Sequence, residues 1–191
     1  MRSKLRATLI FCLIFCIGAG ITFRFTNLDF KVYSYDEAIT SLRSSGYSWY
    51  EAVSHVEKEP LFTTHQLIEQ YQSINRHNGV DRTVIGLGKE EAQLTPLYFV
   101  LVRLWSAVAG TSIAAVRGFS AVLSVILLGA IYRLARKLFV DKLTVLMVVA
   151  VSSISPFLVR YAQDARPYTL LCLTTVLSAE ALWTACSMVY S

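Results

Sequence analysis

Ala7–Phe23 is a run of 17 residues without a charge, the first of four apolar stretches that constrain what this chain can fold into. As an α-helix it reaches about 26 Å at about 1.5 Å per residue, close to the hydrocarbon thickness of a bilayer, about 30 Å. Ile113–Tyr132, Leu143–Val159 and Thr169–Tyr190 are similar, with Arg117 and Glu180 their only charges. Hydrocarbon offers no hydrogen bonds to a bare backbone, so such stretches must satisfy their own peptide groups as helices. Of the 191 residues 54% are hydrophobic and 16% charged, and the mean hydropathy is +0.49, too apolar for an ordinary soluble domain. The expected fold is an all-α polytopic membrane protein with about four transmembrane helices (7–23, 113–132, 143–159, 169–190), placed as a multi-pass protein of the cell membrane.

Charge sets the expected orientation. The formal net charge is +5, but the basic residues flank apolar runs instead of forming one face, which argues for the positive-inside rule and against nucleic acid. The opening Met1-Arg2-Ser3-Lys4-Leu5-Arg6 and the later "RLARKLFVDK", with Arg133, Arg136, Lys137 and Lys142, both belong in the cytoplasm. That parity holds only if Leu94–Gly110 does not cross, so this stretch is expected as an interfacial or re-entrant helix. The outer loops are then 24–112 and 160–168. A cleaved signal peptide is the alternative for the first run, given the small residues of "CIGAG". Cys12, Cys16, Cys172 and Cys186 all lie in apolar segments, which argues against a disulfide or zinc framework.

An outer loop of about ninety residues is too long to be structureless, so it is expected to carry its own elements. "DEAITSLRSS" sets Ala38, Ile39 and Leu42 on one side, and "HQLIEQYQSI" does the same for Leu67, Ile68, Tyr71 and Ile74. Both read as amphipathic helices at the membrane surface, and "HNGVDR" as a turn.

Charge also gathers where it is costly. "SPFLVRYAQDARPYTLLCL" places Arg160, Asp164 and Arg166 between two apolar runs, and such groups must be paired, reach water or do chemistry. Asp36 and Glu37 follow the first span in "VYSYDEAIT". A helix N-cap at Ser34 or Asp36, with acids in the first turn, accounts for them structurally. Pairing of Asp164 with Arg166 or with headgroups accounts equally well for the second cluster. Arg103 and Arg117 sit near the outer interface, within reach of headgroups or phosphate. Glu180 lies near the middle of the last span, where an acid needs a partner. His55, His65 and His77 are spaced too widely for a metal motif and read as surface residues.

Taken in order, "YSYDEAITSLRSSGY", "EEAQLTPLYFVLVRLW", "IAAVRGFSAVLSVILLGAIYRLARKLF" and "SPFLVRYAQDARPYTL" resemble the N-terminal part of a membrane glycosyltransferase group. This is the dolichyl-phosphate-mannose protein mannosyltransferase and aminoarabinose transferase group, of the C-type glycosyltransferase fold, and the chain is most similar to its bacterial branch. The resemblance implies a polyprenyl-phosphate-linked sugar as donor, transferred at the extracytoplasmic face to an acceptor it does not name. It implies catalytic roles for Asp36, Glu37 and Asp164, and substrate binding by Gln163, Arg166 and Tyr168 of the Q-(E/D)-A-R-x-Y pattern, with Arg117 added for its position. Where the group shows His-Pro-Pro-Leu-Tyr-Tyr, this chain has Leu94-Thr95-Pro96-Leu97-Tyr98-Phe99. A divalent metal held by Asp36 and Asp164 is one option, and shared hydrogen bonds are the other. Members of the group commonly carry more spans, so the chain is expected to be an N-terminal fragment.

Two other functions fit parts of the pattern. A transporter or channel subunit would line its path with Asp164, Arg166 and Glu180, but would call for internal repeats and discontinuous helices. A non-catalytic truncated remnant, or a partner subunit, would keep the spans and lose the chemistry.

Overall fold

A computed structural model describes residues 2–58, 61, 63–75 and 78–189, all helix and connection with no strand among them. Met1, His77 and Tyr190 of the sequence reading lie outside the described residues. The chain divides into two compact units. One contains the described residues of 1–26, 120–164 and 168–191, here the span unit. The other contains those of 27–119 together with 165–167, here the loop unit.

The span unit is built from α1 (Arg2–Phe25), most of α7 (Ile113–Leu138), α8 (Lys142–Ile154), α9 (Pro156–Ala162) and α10 (Tyr168–Val189). α1, α7 and α10 are each long and apolar enough to cross a membrane. On α1 the side chains of Leu5, Phe11, Ile14 and Phe15 stay largely exposed, which suits a helix whose solvent is lipid. α8 and α9 make a fourth span only as a pair bent by 56°. The single helix expected over 143–159 is thus two helices, the geometry of a broken span or of a re-entrant pair. Pro156 lacks an N–H and opens α9 at its first position, so the ladder of α8 stops at Ile154.

Arg24 repairs the break. Its guanidinium is fully buried and donates to the carbonyls of Ser153 (2.6 Å) and Ser152 (3.4 Å), two of those left over at the end of α8. It also donates to Gly20 O at 2.6 Å and Ser124 Oγ at 2.7 Å. α1 and α8 approach so closely there that a Cβ on Gly20 would stand 2.3 Å from Ser153 O. The basic segment after 132 is also not all loop: α7 runs on to Leu138, because Arg and Lys are good helix formers and favoured at a C-terminus. From there Arg133 and Lys137 each reach Glu180 Oε1 at 2.9 Å, so the acid of the last span finds its partners within this chain.

The loop unit packs α2 (Tyr35–Ser44), α3 (Trp49–Lys58), α4 (Thr64–Tyr71), α5 (Val80–Glu90), α6 (Pro96–Ala109) and the first turns of α7. α3 and α5 are additional to the expected helices, and Ile74 falls beyond the end of α4. Gly86 and Gly88 weaken the helical signal of α5, which Val80, Thr83 and Leu87 nonetheless follow at helical spacing. α6, about 21 Å long by its 14 residues, is too short to cross a 30 Å core, and Tyr98, Phe99 and Val102 on it are fully buried.

Polar side chains tie these helices together. Buried Arg43 of α2 pairs with Glu90 (2.6 Å) and Glu91 (3.0 Å), while Thr83 Oγ1 donates to Arg43 O at 3.0 Å. Arg103, expected near headgroups, is instead buried and donates to the backbone carbonyls of Ser44, Asn75 and Asn78. Tyr71, on the apolar side of the helix expected at the membrane surface, points into the unit, edge-on to Tyr47 at 5.1 Å between ring centroids.

Candidate functional site

The site begins at the N-terminus of α2. Ser34 takes the extended backbone of an N-cap (φ −75°, ψ 158°), and its Oγ accepts from Glu37 N at 3.4 Å. Glu37 reaches back, its Oε2 accepting from Ser34 N at 3.0 Å, so the two close a capping box. The N-cap reading of "SYDE" is correct, and it explains why a carboxylate stands at the third position of the helix. It does not explain where that carboxylate goes next.

Glu37 is buried, and Arg117, entering from the first turns of α7, meets it with two parallel bonds. Nε donates to Oε1 and Nη2 to Oε2, each at 2.8 Å. The remaining guanidinium N–H groups go to backbone carbonyls: Nη1 to Leu28 O (2.6 Å) and Lys31 O (3.0 Å), Nη2 to Val32 O (3.1 Å). All five donors of an arginine are thereby used inside the protein. The guanidinium also lies 5.4 Å above the ring of Tyr33. Burial alone would raise the Glu37 carboxyl, but the bonds from Arg117 and from the Ala165 and Ser34 amides outweigh it and hold the group at about 2. The Tyr33 hydroxyl is pushed up to about 12, chiefly by burial, with the negative charge of Glu37 adding to it against the Ser41 hydrogen bond and Arg117.

One of those amides comes from far along the chain. Ala165 N donates to Glu37 Oε1 at 3.0 Å, which fastens residues 165–167 to the start of α2. Arg166 is thereby brought to Asp36: its Nη2 stands 3.6 Å from Asp36 Oδ2, and its Nη1 is 3.4 Å from Asp36 O. The separation exceeds the roughly 2.8 Å of a tight charge-assisted bond, so the contact of these two side chains is electrostatic. The Asp36 side chain is 59% exposed and that of Arg166 16%. Two adjacent acids thus have opposite surroundings: Glu37 is enclosed and saturated with donors, and Asp36 is open.

Four of the residues singled out in the sequence, Asp36, Glu37, Arg117 and Arg166, come together in the loop unit. Gln163, Asp164 and Tyr168 belong to the span unit. There Gln163 Nε2 donates to Phe23 O (2.6 Å) and Thr26 O (3.1 Å), closing the end of α1. Tyr168 packs edge-on against Tyr161 at 4.9 Å, and Tyr161 against Phe157 at 4.5 Å. Among the described residues no group of three or more histidines, cysteines and acids is placed to hold a metal ion. Sequence reasoning missed the link through Ala165, because a backbone amide has no signature. It noted Arg117 without seeing Glu37 as its partner, which lies 80 residues away.

An open carboxylate beside a guanidinium, mounted on a buried ion pair, can take a proton from a hydroxyl next to a bound anion. No curated protein and no solved structure gives a significant match to the chain. The family model described as dolichyl-phosphate-mannose-protein mannosyltransferase matches residues 93–188, half of the chain, and includes Arg117 and the 163–168 motif. With its all-helical fold and its membrane-length apolar helices, this multi-pass membrane protein belongs to the dolichyl-phosphate-mannose-protein mannosyltransferase family, a family of membrane glycosyltransferases.

Proposed function

We propose that the chain carries the transfer site of a glycosyltransferase that uses a polyprenyl-phosphate-linked sugar and works at the extracytoplasmic face. Asp36 takes the proton from an acceptor hydroxyl as that oxygen bonds to the anomeric carbon of the sugar. The bond from the anomeric carbon to the phosphate oxygen breaks, and the electron pair leaves with the polyprenyl phosphate, whose negative charge Arg166 holds. Glu37 and Arg117 are positioning residues: the first fixes the backbone under Arg166 through Ala165, and the second fixes Glu37. The observation that carries this reading is the 3.6 Å approach of exposed Asp36 to Arg166 over a saturated, buried Glu37. These steps balance without a metal.

The test is a pair of variants assayed with a polyprenyl-phosphate sugar. Asp36→Asn is expected to lower kcat while donor binding stays within about twofold, since the amide keeps the shape and loses the base. Arg166→Ala is expected to weaken donor binding by about 10- to 100-fold, the worth of a charge-assisted contact. Equal loss of donor affinity in both variants, or full activity in either, overturns the division of roles.

A further inference from the structure

Within the span unit, α1 and α8 run side by side in the same direction. Toward their C-terminal ends they touch: Ser153 Oγ donates to Ile17 O at 3.0 Å, and a Cβ on Gly20 would collide with Ser153 O. Toward their N-terminal ends Arg6 of α1 stands 4.0 Å from Asp141, the cap of α8, and a cleft of about 690 Å³ opens between the helices. Its walls are Ile10 on one side and Leu143 and Leu146 on the other, with Val140 at the lip. A cleft of that size can enclose a ligand and not merely a water molecule.

The charges of the cleft are unequal. Arg6 and Lys142 face one acid, Asp141, and that acid is already in use: its Oδ2 accepts from Thr144 N and Thr144 Oγ1 at 3.0 Å each. Only Oδ1 is left for Arg6, at 4.0 Å, beyond hydrogen-bond reach, and the Arg6 side chain stays 69% exposed. The Lys142 ammonium is exposed, with neither ion pair nor hydrogen bond among the described residues. The segment before Arg6 adds Arg2 and Lys4 and no acid. Ile10 and Leu146 follow the two cations by four residues, so the apolar walls lie about one helical turn deeper than the charged mouth. Beside the mouth, Leu138, Phe139 and Val140 are exposed, Val140 completely. Apolar side chains open beside basic ones suit the level where hydrocarbon gives way to headgroups.

We infer that this cleft binds one anionic phospholipid of the cytoplasmic leaflet, its phosphate between Arg6 and Lys142 and an acyl chain against Ile10, Leu143 and Leu146. A free phosphate would leave the apolar walls bare. A zwitterionic lipid would bring a second cation to a mouth that already has one in surplus. The charge rule that puts both basic segments in the cytoplasm also puts the cleft in the leaflet where anionic lipids concentrate. The lipid fills the space between α1 and α8 at one end while Gly20 and Ser153 hold them together at the other. The cleft belongs wholly to the span unit and does not depend on the role given to Asp36.

The test counts lipids on the full chain. The protein in dodecyl maltoside is titrated with dioleoyl phosphatidylglycerol or dioleoyl phosphatidylcholine, and bound lipid is read by native mass spectrometry. The first phosphatidylglycerol is expected to bind about tenfold more tightly than phosphatidylcholine, the worth of one charge-assisted contact. Arg6→Gln with Lys142→Gln is expected to remove that preference. Lys4→Gln with Arg136→Gln takes the same charge from exposed positions outside the cleft, and is expected to change the preference by less than about twofold. Leu143→Trp narrows the apolar part and keeps both cations, and is expected to weaken phosphatidylglycerol as well. Glycerol phosphate, the head without its chains, is expected not to displace the lipid. Equal binding of the two lipids, equal losses from the two charge pairs, unchanged binding in Leu143→Trp, or displacement by glycerol phosphate overturns the site. So does a dimer of the chain that Leu143→Trp abolishes, because a second copy then fills the cleft.

Discussion

Arg24 in the span unit and Arg117 in the loop unit are both completely buried, and the two are neutralised in different ways. Arg117 in the loop unit faces a carboxylate and three carbonyls, whereas Arg24 in the span unit donates to three carbonyls and one hydroxyl, all neutral. A buried charge needs several kcal/mol of compensation, and helix ends can supply part of it. Arg24 sits where α8 stops, at the negative end of its dipole and beside the last turns of α1, so unsatisfied carbonyls and cation solve each other's problem. Arg117 has no helix end to use and requires Glu37. The difference shows that a buried cation can be satisfied by backbone carbonyls and a hydroxyl in one unit and by a carboxylate in the other.

Removing the acid is the strongest way to break the comparison. Glu37→Gln leaves Arg117 buried without its counter-ion, and the loop unit is expected to lose about 3–5 kcal/mol, read from thermal unfolding in detergent. Replacing both with Met is expected to recover most of it, because no charge is then stranded. Recovery that fails would mean that the bonds to Leu28, Lys31 and Val32 matter more than the charge.

Arg24→Met takes a cation away and leaves neutral carbonyls, each of which is cheaper to abandon than a charge. The expected cost is about 1–3 kcal/mol, below that of Glu37→Gln in the same assay. A larger loss would show that the break between α8 and α9 depends on Arg24 for more than its hydrogen bonds. Gly20→Ala examines the same place by crowding: its new Cβ would stand 2.3 Å from Ser153 O, and forcing α1 from α8 is expected to cost about 1–3 kcal/mol.

Acid distinguishes the units with the least perturbation. The Glu37 carboxyl is held at about 2, below its ordinary 4.5, so its contribution is fully present above pH 4.5 and fades as pH falls toward 2. Protection of the Ala165 amide, measured by hydrogen exchange against its intrinsic rate, is expected to fall across that window. The carbonyl cage of Arg24 contains no such acid, and protection around Ser153 is expected to change less.

Much of the fold was legible because lipid leaves a chain few choices. Runs near 20 apolar residues must be helices, and α1, α7 and α10 follow the expected spans within a few residues at most ends. The sequence also marked Ser34 or Asp36 as a cap, of which the structure takes Ser34, and it gathered Asp36, Glu37, Arg117 and Arg166 as residues of interest. α3 and α5 were harder to see, as short helices stabilised by packing and, in α5, diluted by glycine. The break at Pro156 was present in the letters but was read through, since hydropathy does not register a missing N–H.

Local chemistry determined which segments are helical, where they start and which side chains are too costly to leave alone, because period, caps and charge act over a few residues. Only the tertiary structure decided how those costs are met. Glu37 and Asp36 are neighbours with the same charge, yet one is enclosed by Arg117 and the Ala165 amide and the other is left open beside Arg166. That choice depends on which distant donors arrive, across 80 and 128 residues, and no property of the two acids themselves encodes it.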